Sequence, residues 1–310
     1  MAQHLLNPSL ENVHWGYFDA RLPPRLEVDS GDTVVIDTVS GWPEVAPGET
    51  RFSPVHQEII TKLKPQLGPH ILTGPVAVKG ALPGDVLEVR IKAIELTGDW
   101  GWNVIRPLRG TLPEDFPEFQ ARVIPLDRKA MTAKLAWGPV IPLQPFFGIL
   151  ATAPRPEYGR ISTVEPREFG GNVDCKEYVP GTRLFLPVFV PGANFSAGDG
   201  HAVQGDGEVC LTALETCLKG TFELVVRKDM TLAMPRAITP THYITLGLDA
   251  DLDDAAKQAL RDMIAWLVQM KGWKAAEAYV FCSLACDLRV TQLVDGNKGI
   301  HAMVARGLID

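Results

Sequence analysis

The segment LPVFVPGANFSAGDGHAVQGDGEVC, from Leu186 to Cys210, is the centre around which this chain is organised. An apolar run ends at a Pro-Gly pair, and the chain then places acidic, amide and imidazole side chains among alternating glycines: Asp199, His201, Gln204, Asp206 and Glu208. Alternating glycines forgo side-chain packing and cost backbone entropy, so they indicate tight turns or a close approach to the backbone. If the segment is extended, Asp199 and His201 share one face, and Asp206 and Glu208 share another.

This density of polar side chains is typical of a metal site. One imidazole with several carboxylates suits a borderline or hard divalent ion. The alternative is a pair of ordinary turns, because Asp and Gly are the usual turn residues. For Asp206-Gly207 alone we favour a turn, whereas for the whole cluster we favour a functional site.

The composition is that of a globular protein, and a mildly acidic enzyme fits it. With 310 residues and a formal net charge of −7, the chain suits one large domain or two ordinary ones, and it has no basic run that would bind nucleic acid or an anionic membrane. The first residues lack the pattern of a signal peptide, and no run reaches about 18 apolar residues, so we expect a cytoplasmic protein without a membrane span. The five cysteines are odd in number and sparse, which favours reduced thiols over disulfides.

The rest of the chain predicts short strands followed by helices. Pro/Gly turns separate Val/Ile/Leu runs in residues 22–37 and 68–96, and residues 112–139 look irregular, as in an excursion over the site. Apolar residues recur with a helical period from Leu252 to Leu267, and a second helix from Lys274 to Asp287 is apolar nearly all round, which predicts burial. We therefore expect a mostly β fold with an α/β portion: antiparallel sandwich- or barrel-like units plus a C-terminal helical pair. The expected division is an N-terminal β-rich unit, residues 1–140, and a unit carrying the site, residues 141–310.

Several stretches resemble the acetamidase/formamidase family, whose members are metal-dependent hydrolases of small amides with a mostly β architecture. Besides the central segment, the matching patterns are PP-x-L-x-V-x-S-G-D-T-V at residues 23–34, H-x-x-T-G-P-x-x-V-x-G-A-x-P-G-D at 70–85, G-W-x-x-I-x-P at 101–107, G-G-N-x-D-C at 170–175 and S-L-A-x-D-L-R-x-x-Q at 283–292. The chain departs from the family pattern at Leu108 and Arg109. Arg106 and Arg109 close to a pocket could select a larger amide or one that carries a carboxylate.

The resemblance, together with the residue cluster, implies hydrolysis of the carbon–nitrogen bond of a small linear amide to a carboxylate and ammonia. We expect a divalent metal, zinc before calcium, with a set of candidate ligands: His201, Asp199, Asp174 and His70. Glu208 is the candidate general base and acid, and Asp174 is the next candidate for that role. We expect the protein to form a homo-oligomer. Its other partner is expected to be a small-molecule amide substrate, with no nucleic acid or membrane.

Three other interpretations stay open at the level of sequence. A cupin-like metal oxygenase also mounts histidines and carboxylates on a β scaffold, but it normally needs more histidines than His70 and His201. A non-catalytic β protein could hold a structural calcium ion in the same Asp- and Gly-rich loops. Cys175 could be a nucleophile of the nitrilase type, although no base lies near it at a recognisable spacing.

Overall fold

The structure is a computed structural model that describes residues 1–48 and 51–310. The first eleven strands are β1 Gln3–Leu6, β2 Val13–Trp15, β3 Tyr17–Asp19, β4 Leu26–Val28, β5 Thr33–Asp37, β6 Ile71–Val78, β7 Val86–Leu96, β8 Trp100–Ile105, β9 Gln120–Asp127, β10 Thr132–Lys134 and β11 Val140–Pro142. The other eleven are β12 Phe146–Ala151, β13 Arg160–Ser162, β14 Gly170–Asn172, β15 Arg183–Pro187, β16 Phe195–Val203, β17 Leu214–Thr216, β18 Leu218–Arg227, β19 Arg236–Ile238, β20 His242–Asp249, β21 Cys286–Gln292 and β22 Lys298–Ala305. The α-helices are α1 Pro54–Lys62, α2 Leu252–Lys271 and α3 Ala275–Ala285.

Two large sheets of predominantly antiparallel pairing contain most of these strands. One has nine strands in the order β1-β5-β18-β7-β15-β19-β20-β22-β21, and the other has eleven, with β11-β10-β9-β8-β17-β16-β12-β14 in a row and β6 joining β2 and β4 to β16. The mostly β fold is therefore confirmed. Each sheet takes strands from both sides of residue 140, so backbone pairing joins the two expected units, and a domain boundary at 140/141 stays a prediction.

The main apolar core lies between the two large sheets. Phe222 of β18 contacts Phe147 of β12 and Phe195 of β16, with ring centroids 5.5 and 5.6 Å apart in edge-to-face arrangements. Complete burial of such a side chain contributes about 1.5 to 3 kcal/mol. This packing fixes β12 and β16 side by side, and β16 carries Asp199 and His201 of the polar cluster on its other face.

The C-terminal helical pair is confirmed, and α2 begins and ends where the sequence indicates. The Asp251 side chain caps its first turn by accepting hydrogen bonds from the backbone N–H groups of Asp253 and Asp254, and Gly272 ends it with a left-handed φ of 67°. Ala255, Ala259 and other small or apolar residues of α2 pack on β20 and β22. This packing covers the outer face of the nine-stranded sheet.

The prediction that the second helix is buried all round is wrong. Helix α3 ends at Ala285, and β21 begins at Cys286. Ala278 and Cys282 are buried, but Tyr279 and Leu284 on the other side are 60% and 81% exposed. An 11-residue helix that packs on the molecule along one side leaves its remaining apolar side chains in solvent.

The expectation of an irregular segment over residues 112–139 is wrong for Gln120–Asp127 and Thr132–Lys134, which form β9 and β10, whereas the residues around these strands are turns and irregular chain. Strand β9 pairs with β8 along six residues, and β10 turns back against β9 to extend the edge of the eleven-stranded sheet. Buried Ile124 and Leu126 alternate with more exposed neighbours, as a half-buried strand requires. Prolines in this segment therefore coexist with regular strands, and Pro125 lies within β9.

None of the helices in the described residues combines the length and the apolar character needed to cross a membrane.

Candidate functional site

Four neighbouring strands carry a row of side chains on the face of the eleven-stranded sheet that points away from the core. Strand pairing sets Trp102 of β8 opposite Glu215 of β17, Glu215 opposite His201 of β16, and His201 opposite Phe146 of β12. Residues directly opposite each other in a sheet point to the same side. The ring of Phe146 meets the imidazole of His201 edge to face, with centroids 4.9 Å apart. Within this row, the ring of Phe146 therefore packs against one side of the His201 imidazole.

A single residue of β16 turns the polar side chains away from the core. Phe195 and Ala197 belong to the core between the sheets, and simple alternation would send Asp199 and His201 to that same side. Asp199, however, has a left-handed φ of 57°. Beyond it Ala202 occupies the core side, so Asp199 and His201 lie on the opposite face. The prediction that Asp199 and His201 share a face is confirmed. This face points away from the core and toward the cavity described below.

The imidazole of His201 lies among buried carboxylates. Its Nε2 atom is 3.2 Å from Asp199 Oδ2 and 3.3 Å from Glu215 Oε1. Asp174 Oδ1 lies 3.8 Å away and Glu208 Oε1 lies 4.0 Å away. The structure thus gathers four carboxylates within 4 Å of one nitrogen atom.

Hydrogen bonds on the far side of the His201 ring determine its tautomer. The Gln204 amide nitrogen donates to the carbonyl oxygens of Asp174 at 2.9 Å and Thr291 at 3.3 Å, so the amide oxygen of Gln204 must face the imidazole. That oxygen lies 2.9 Å from His201 Nδ1 and accepts the ring proton. In the neutral ring, Nε2 therefore presents its lone pair to the carboxylates, which is the arrangement of a histidine that binds a metal ion.

His70, from the loop before β6, reaches the rim of the same cluster. Its Nε2 lies 3.9 Å from Asp199 Oδ1, and its Nδ1 is 2.9 Å from the hydroxyl of Thr163. His70 therefore contacts the cluster through Asp199 and lies farther from its centre than His201.

A glycine of β12 leaves the space in which these groups meet. A Cβ atom on Gly148 would come within 2.5 Å of both Asp174 Oδ1 and Asp199 Oδ2, and within 2.8 Å of His201 Cε1. No side chain fits at those distances without displacing the carboxylates. The strand must therefore carry glycine at position 148 for the cluster to close.

Three carboxylate residues of the cluster have left-handed backbone conformations. The φ angles are 55° at Asp174, 57° at Asp199 and 48° at Glu208. Such conformations are uncommon for residues other than glycine, and they concentrate at functional sites, where the surrounding structure maintains them. A common strain at three site residues indicates that side-chain placement, rather than backbone preference, determines this local structure.

Burial and mutual repulsion disturb the ionisation of the cluster. Burial, followed by the effect of neighbouring carboxylates, raises the pKa of Asp174, Glu208 and Glu215 well above their usual values. Burial also raises the pKa of Asp295 to about 7. Burial opposes ionisation of Asp199 as well, but His70 and His201 outweigh it and lower the pKa of Asp199. The carboxylates therefore lack enough positive charge in their surroundings to ionise together.

The donor set fits a divalent ion. Two triads that share the imidazole have ligand atoms within 4.8 Å of one another, Asp174-His201-Glu208 and Asp199-His201-Glu215. Several buried polar atoms of the cluster also have no hydrogen-bond partner among the residues that the structure describes: His201 Nε2, both carboxylate oxygens of Asp174, Glu215 Oε2 and Asp295 Oδ2. Buried polar atoms are normally paired, and a group of unpaired oxygens around an imidazole lone pair suits a cation.

Sequence reasoning placed five residues in the site, and the structure brings all of them together: Asp174, Asp199, His201, Glu208 and His70. It missed Glu215, Asp295 and Asn172, which line the same cavity. Glu215 is the one charged residue in the apolar run Leu211–Leu218, and that isolated carboxylate was the available signal. Asp295 lies in an Asp-Gly sequence that looks like an ordinary turn.

Asp206 and Glu208 do not share a face, because β16 ends at Val203 and Gly207 makes a turn with a φ of 92°. Asp206 accepts a hydrogen bond from Arg289 Nε at 2.8 Å and pairs with Lys176 at 3.0 Å, while Glu208 points into the cluster. Arg289 also donates a hydrogen bond of 2.9 Å to Glu177.

Cys175 is poorly suited to nucleophilic chemistry. The residue is fully buried, and burial raises the pKa of its thiol well above the usual value. The thiolate is the reactive form of cysteine, so this environment suppresses it.

A cavity of about 230 Å³ opens beside the carboxylates. Asp199, Glu208, Glu215 and Asp295 line it together with other polar residues such as His70 and Asn172, and apolar and aromatic residues, including Trp42 and Trp102, form much of the remaining lining. Arg106 and Arg109 lie at the rim, where Arg106 pairs with Glu44 at 3.1 Å. The site therefore offers acid and base groups in a largely apolar pocket.

Known proteins are similar to this chain in both sequence and fold. A sequence profile of the acetamidase/formamidase family matches residues 9–161 and 158–304. A formamidase from Methylophilus methylotrophus is 27% identical over 255 residues, an alignment that spans 63% of each chain. The crystal structure of an acetamidase from Bacillus halodurans superposes with a TM-score of 0.86 at 30% identity, covering 98% of both chains. An acetamidase structure from Yersinia enterocolitica gives a TM-score of 0.87 at 27% identity, covering 99% of this chain and 93% of the other.

Proposed function

This chain belongs to the acetamidase/formamidase family, and from that premise we propose that its buried carboxylate cluster hydrolyses amides with the help of a divalent metal ion. Membership of the family makes the chain a hydrolase of amide carbon–nitrogen bonds. The metal dependence, the nature of the ion and the role of each residue are our proposals. The single observation that carries them is the unpaired Nε2 of His201 among four carboxylates.

We assign the ion to His201 Nε2 and the carboxylates of Asp199 and Asp174, with His70 beside Asp199. Asp174 is buried and does not line the cavity, which suits a ligand better than a group that must reach the substrate. Zinc is the expected ion because it combines imidazole and carboxylate ligands, and calcium is the alternative because most of the donors are carboxylate oxygens. When bound, such an ion supplies polarisation of the amide carbonyl and lowers the pKa of the attacking water.

Glu208 is our proton carrier. Its carboxylate lines the cavity, and no described residue donates a hydrogen bond to it, so Oε1 or Oε2 is free to take a proton from water. The hydroxide that remains adds to the carbonyl carbon, Glu208 gives the proton to the amide nitrogen, and the carbon–nitrogen bond breaks, so that ammonia and a carboxylic acid are released. Burial, followed by the charge of Asp174, raises the pKa of Glu208, which makes its carboxylate a stronger proton acceptor.

Glu215 supports the same centre from β17. Its Oε1 accepts a hydrogen bond of 3.0 Å from the backbone N–H of Ala213, which holds the carboxylate beside His201. We propose that Glu215 orients the imidazole of His201 and the attacking water and does not transfer the proton.

Family membership excludes two of the other interpretations, the cupin-like oxygenase and the non-catalytic calcium protein. The zinc ion, the homo-oligomer and the cytoplasmic location stay predictions.

Metal analysis of the purified protein tests the proposal. We expect close to one divalent ion per chain, ammonia release from simple amides, and loss of both in His201→Ala. Cys175→Ser is the matched control, because it changes one buried side chain outside the cluster and should retain metal and turnover. Equal metal content in the wild type and His201→Ala would remove His201 from the metal site, and loss of turnover in a folded Cys175→Ser would restore the thiol mechanism.

A further inference from the structure

The cavity beside the carboxylates has an apolar wall, which we define by six residues: Val39, Trp42, Trp102, Val104, Val164 and Val294. The indole rings of Trp42 and Trp102 meet edge to face with centroids 6.0 Å apart, so they form a rigid surface. Trp102 and Val104 are buried within their own apolar cluster. The wall is therefore part of the folded scaffold and is not a loose surface patch.

The apolar wall and the reacting carboxylates open onto the same space. Trp102 lies directly opposite Glu215 in the sheet, and Val294 precedes Asp295 in the chain. An amide group placed at Glu208 and Glu215 would therefore direct the rest of its molecule along the wall.

The size of the cavity exceeds what the smallest amides fill. A cavity of about 150 Å³ accommodates benzene, a ring of six carbon atoms. The space here is about 230 Å³, whereas acetamide has only four non-hydrogen atoms. Acetamide would leave the indoles and valines in contact with water, and an acyl group the size of a ring would cover them.

The chemistry of the wall indicates a neutral apolar group. Arg106 is already paired with Glu44, and Arg109 is exposed at the rim, where solvent and salt weaken attraction to a carboxylate. The six wall residues themselves carry no charge. Of the two substrates that the rim arginines suggest, the larger amide fits this pocket better than the carboxylate-bearing one.

We propose that the preferred substrates are primary amides of carboxylic acids with a bulky apolar acyl group, such as an arylalkyl group, rather than formamide or acetamide. This inference rests on the proposed amide hydrolysis and specifies its substrate. One methylene group in an apolar pocket changes the relative kcat/KM by about tenfold or more. A whole ring against the wall should therefore give a difference of at least about 100-fold.

The test is ammonia release by the metal-loaded protein from formamide, acetamide, butanamide and phenylacetamide. We expect kcat/KM to rise along this series, with phenylacetamide at least about 100-fold above acetamide. The highest kcat/KM for formamide or acetamide would overturn the inference and leave amide hydrolysis intact. Absence of ammonia from all four would contradict the proposed function itself, so the two failures are distinct.

A variant that fills the cavity checks that the wall causes the preference. Val164→Phe places a ring in the pocket from a half-buried loop position, and we expect the ratio of kcat/KM for phenylacetamide to that for acetamide to fall at least tenfold. Leu288→Phe is the matched control, because Leu288 is exposed on β21 outside the cavity, and the ratio should not change. Equal ratios in the wild type and a folded Val164→Phe would show that this wall does not contact the acyl group.

Discussion

Glu208 and Glu215 are two buried glutamates that line the same cavity, but their hydrogen-bond partners differ, and so does the freedom of each carboxylate to move a proton. The backbone N–H of Ala213 holds Glu215, whereas the carboxylate of Glu208 has no such donor among the described residues. A carboxylate that must take a proton from water and deliver it to nitrogen has to turn between them. This difference favours Glu208 as the proton carrier and gives Glu215 the more fixed position.

Matched substitutions at these two positions test the assignment. Glu208→Gln keeps the shape but cannot accept the proton, so we expect unchanged metal content and a fall in kcat on the order of 100-fold or more. Glu215→Gln keeps the acceptor for the Ala213 N–H and should lose less activity. Metal content and single-turnover rates of both variants are the measurements. A larger loss in Glu215→Gln would transfer the proton step to Glu215, and loss of metal in Glu208→Gln would make Glu208 a ligand.

At the scale of single elements, the antiparallel pair of strands β12 and β16 positions part of the site. The left-handed Asp199 of β16 directs its carboxylate toward β12, and Gly148 of β12 provides the space for it. A strand with a side chain at position 148 could still pair with β16, because pairing uses backbone groups only. The glycine therefore serves the site and not the sheet.

Gly148→Ala should separate those two roles. The added methyl group would collide with Asp174, Asp199 and His201, so we expect loss of bound metal and at least a 100-fold fall in kcat while circular dichroism stays that of a folded β protein. Gly205→Ala is the matched control: it lies close in sequence to His201, but nothing stands within 4 Å of the added methyl. A fully active, metal-loaded Gly148→Ala would show that the carboxylates have room to move and that the cluster is less rigid than its geometry indicates.

At the scale of the whole molecule, a buried ion cluster joins three strands of the nine-stranded sheet. Glu88 of β7 has no exposed surface and accepts hydrogen bonds of 2.7 Å from Arg90, Arg183 of β15 and Arg227 of β18. Burial opposes its ionisation, but the three arginines outweigh burial and hold the pKa of Glu88 at about 2, below its ordinary value of 4.5. Ionised Glu88 therefore stabilises the folded state above pH 4.5, and that contribution disappears as the pH falls toward 2.

Glu88→Gln should expose this contribution as a pH-dependent difference in stability. We expect the free energy of unfolding at pH 7 to fall by about 1 to 3 kcal/mol, because the arginines lose their charged acceptor. The difference from the wild type should shrink between pH 4.5 and pH 2, where the wild-type carboxylate takes up its proton. Urea unfolding across this range is the measurement. Glu58→Gln is the control, because its pair with Lys62 is exposed and contributes little at any pH. A difference that does not change with pH would mean that Glu88 acts through packing alone.

The sequence by itself determined the elements whose signals are local. Turn residues and alternation identified the strands around residues 26–37 and 71–96, and a cap with a 3.6-residue period identified α2. The density of polar side chains between Asp199 and Glu208 located the centre of the site, because such residues among glycines have little use in a sandwich core.

Only the tertiary structure decided which residues meet at that centre. Alternation alone would have sent Asp199 and His201 into the core with Phe195, and one left-handed φ angle reversed that direction. Glu215 and Asp295 join the site through strand pairing and loop packing between segments far apart in the chain. Helix α3 exposes apolar residues because no described residue covers its outer side. Propensity and periodicity act over a few residues, whereas the cavity depends on contacts between segments far apart in the chain.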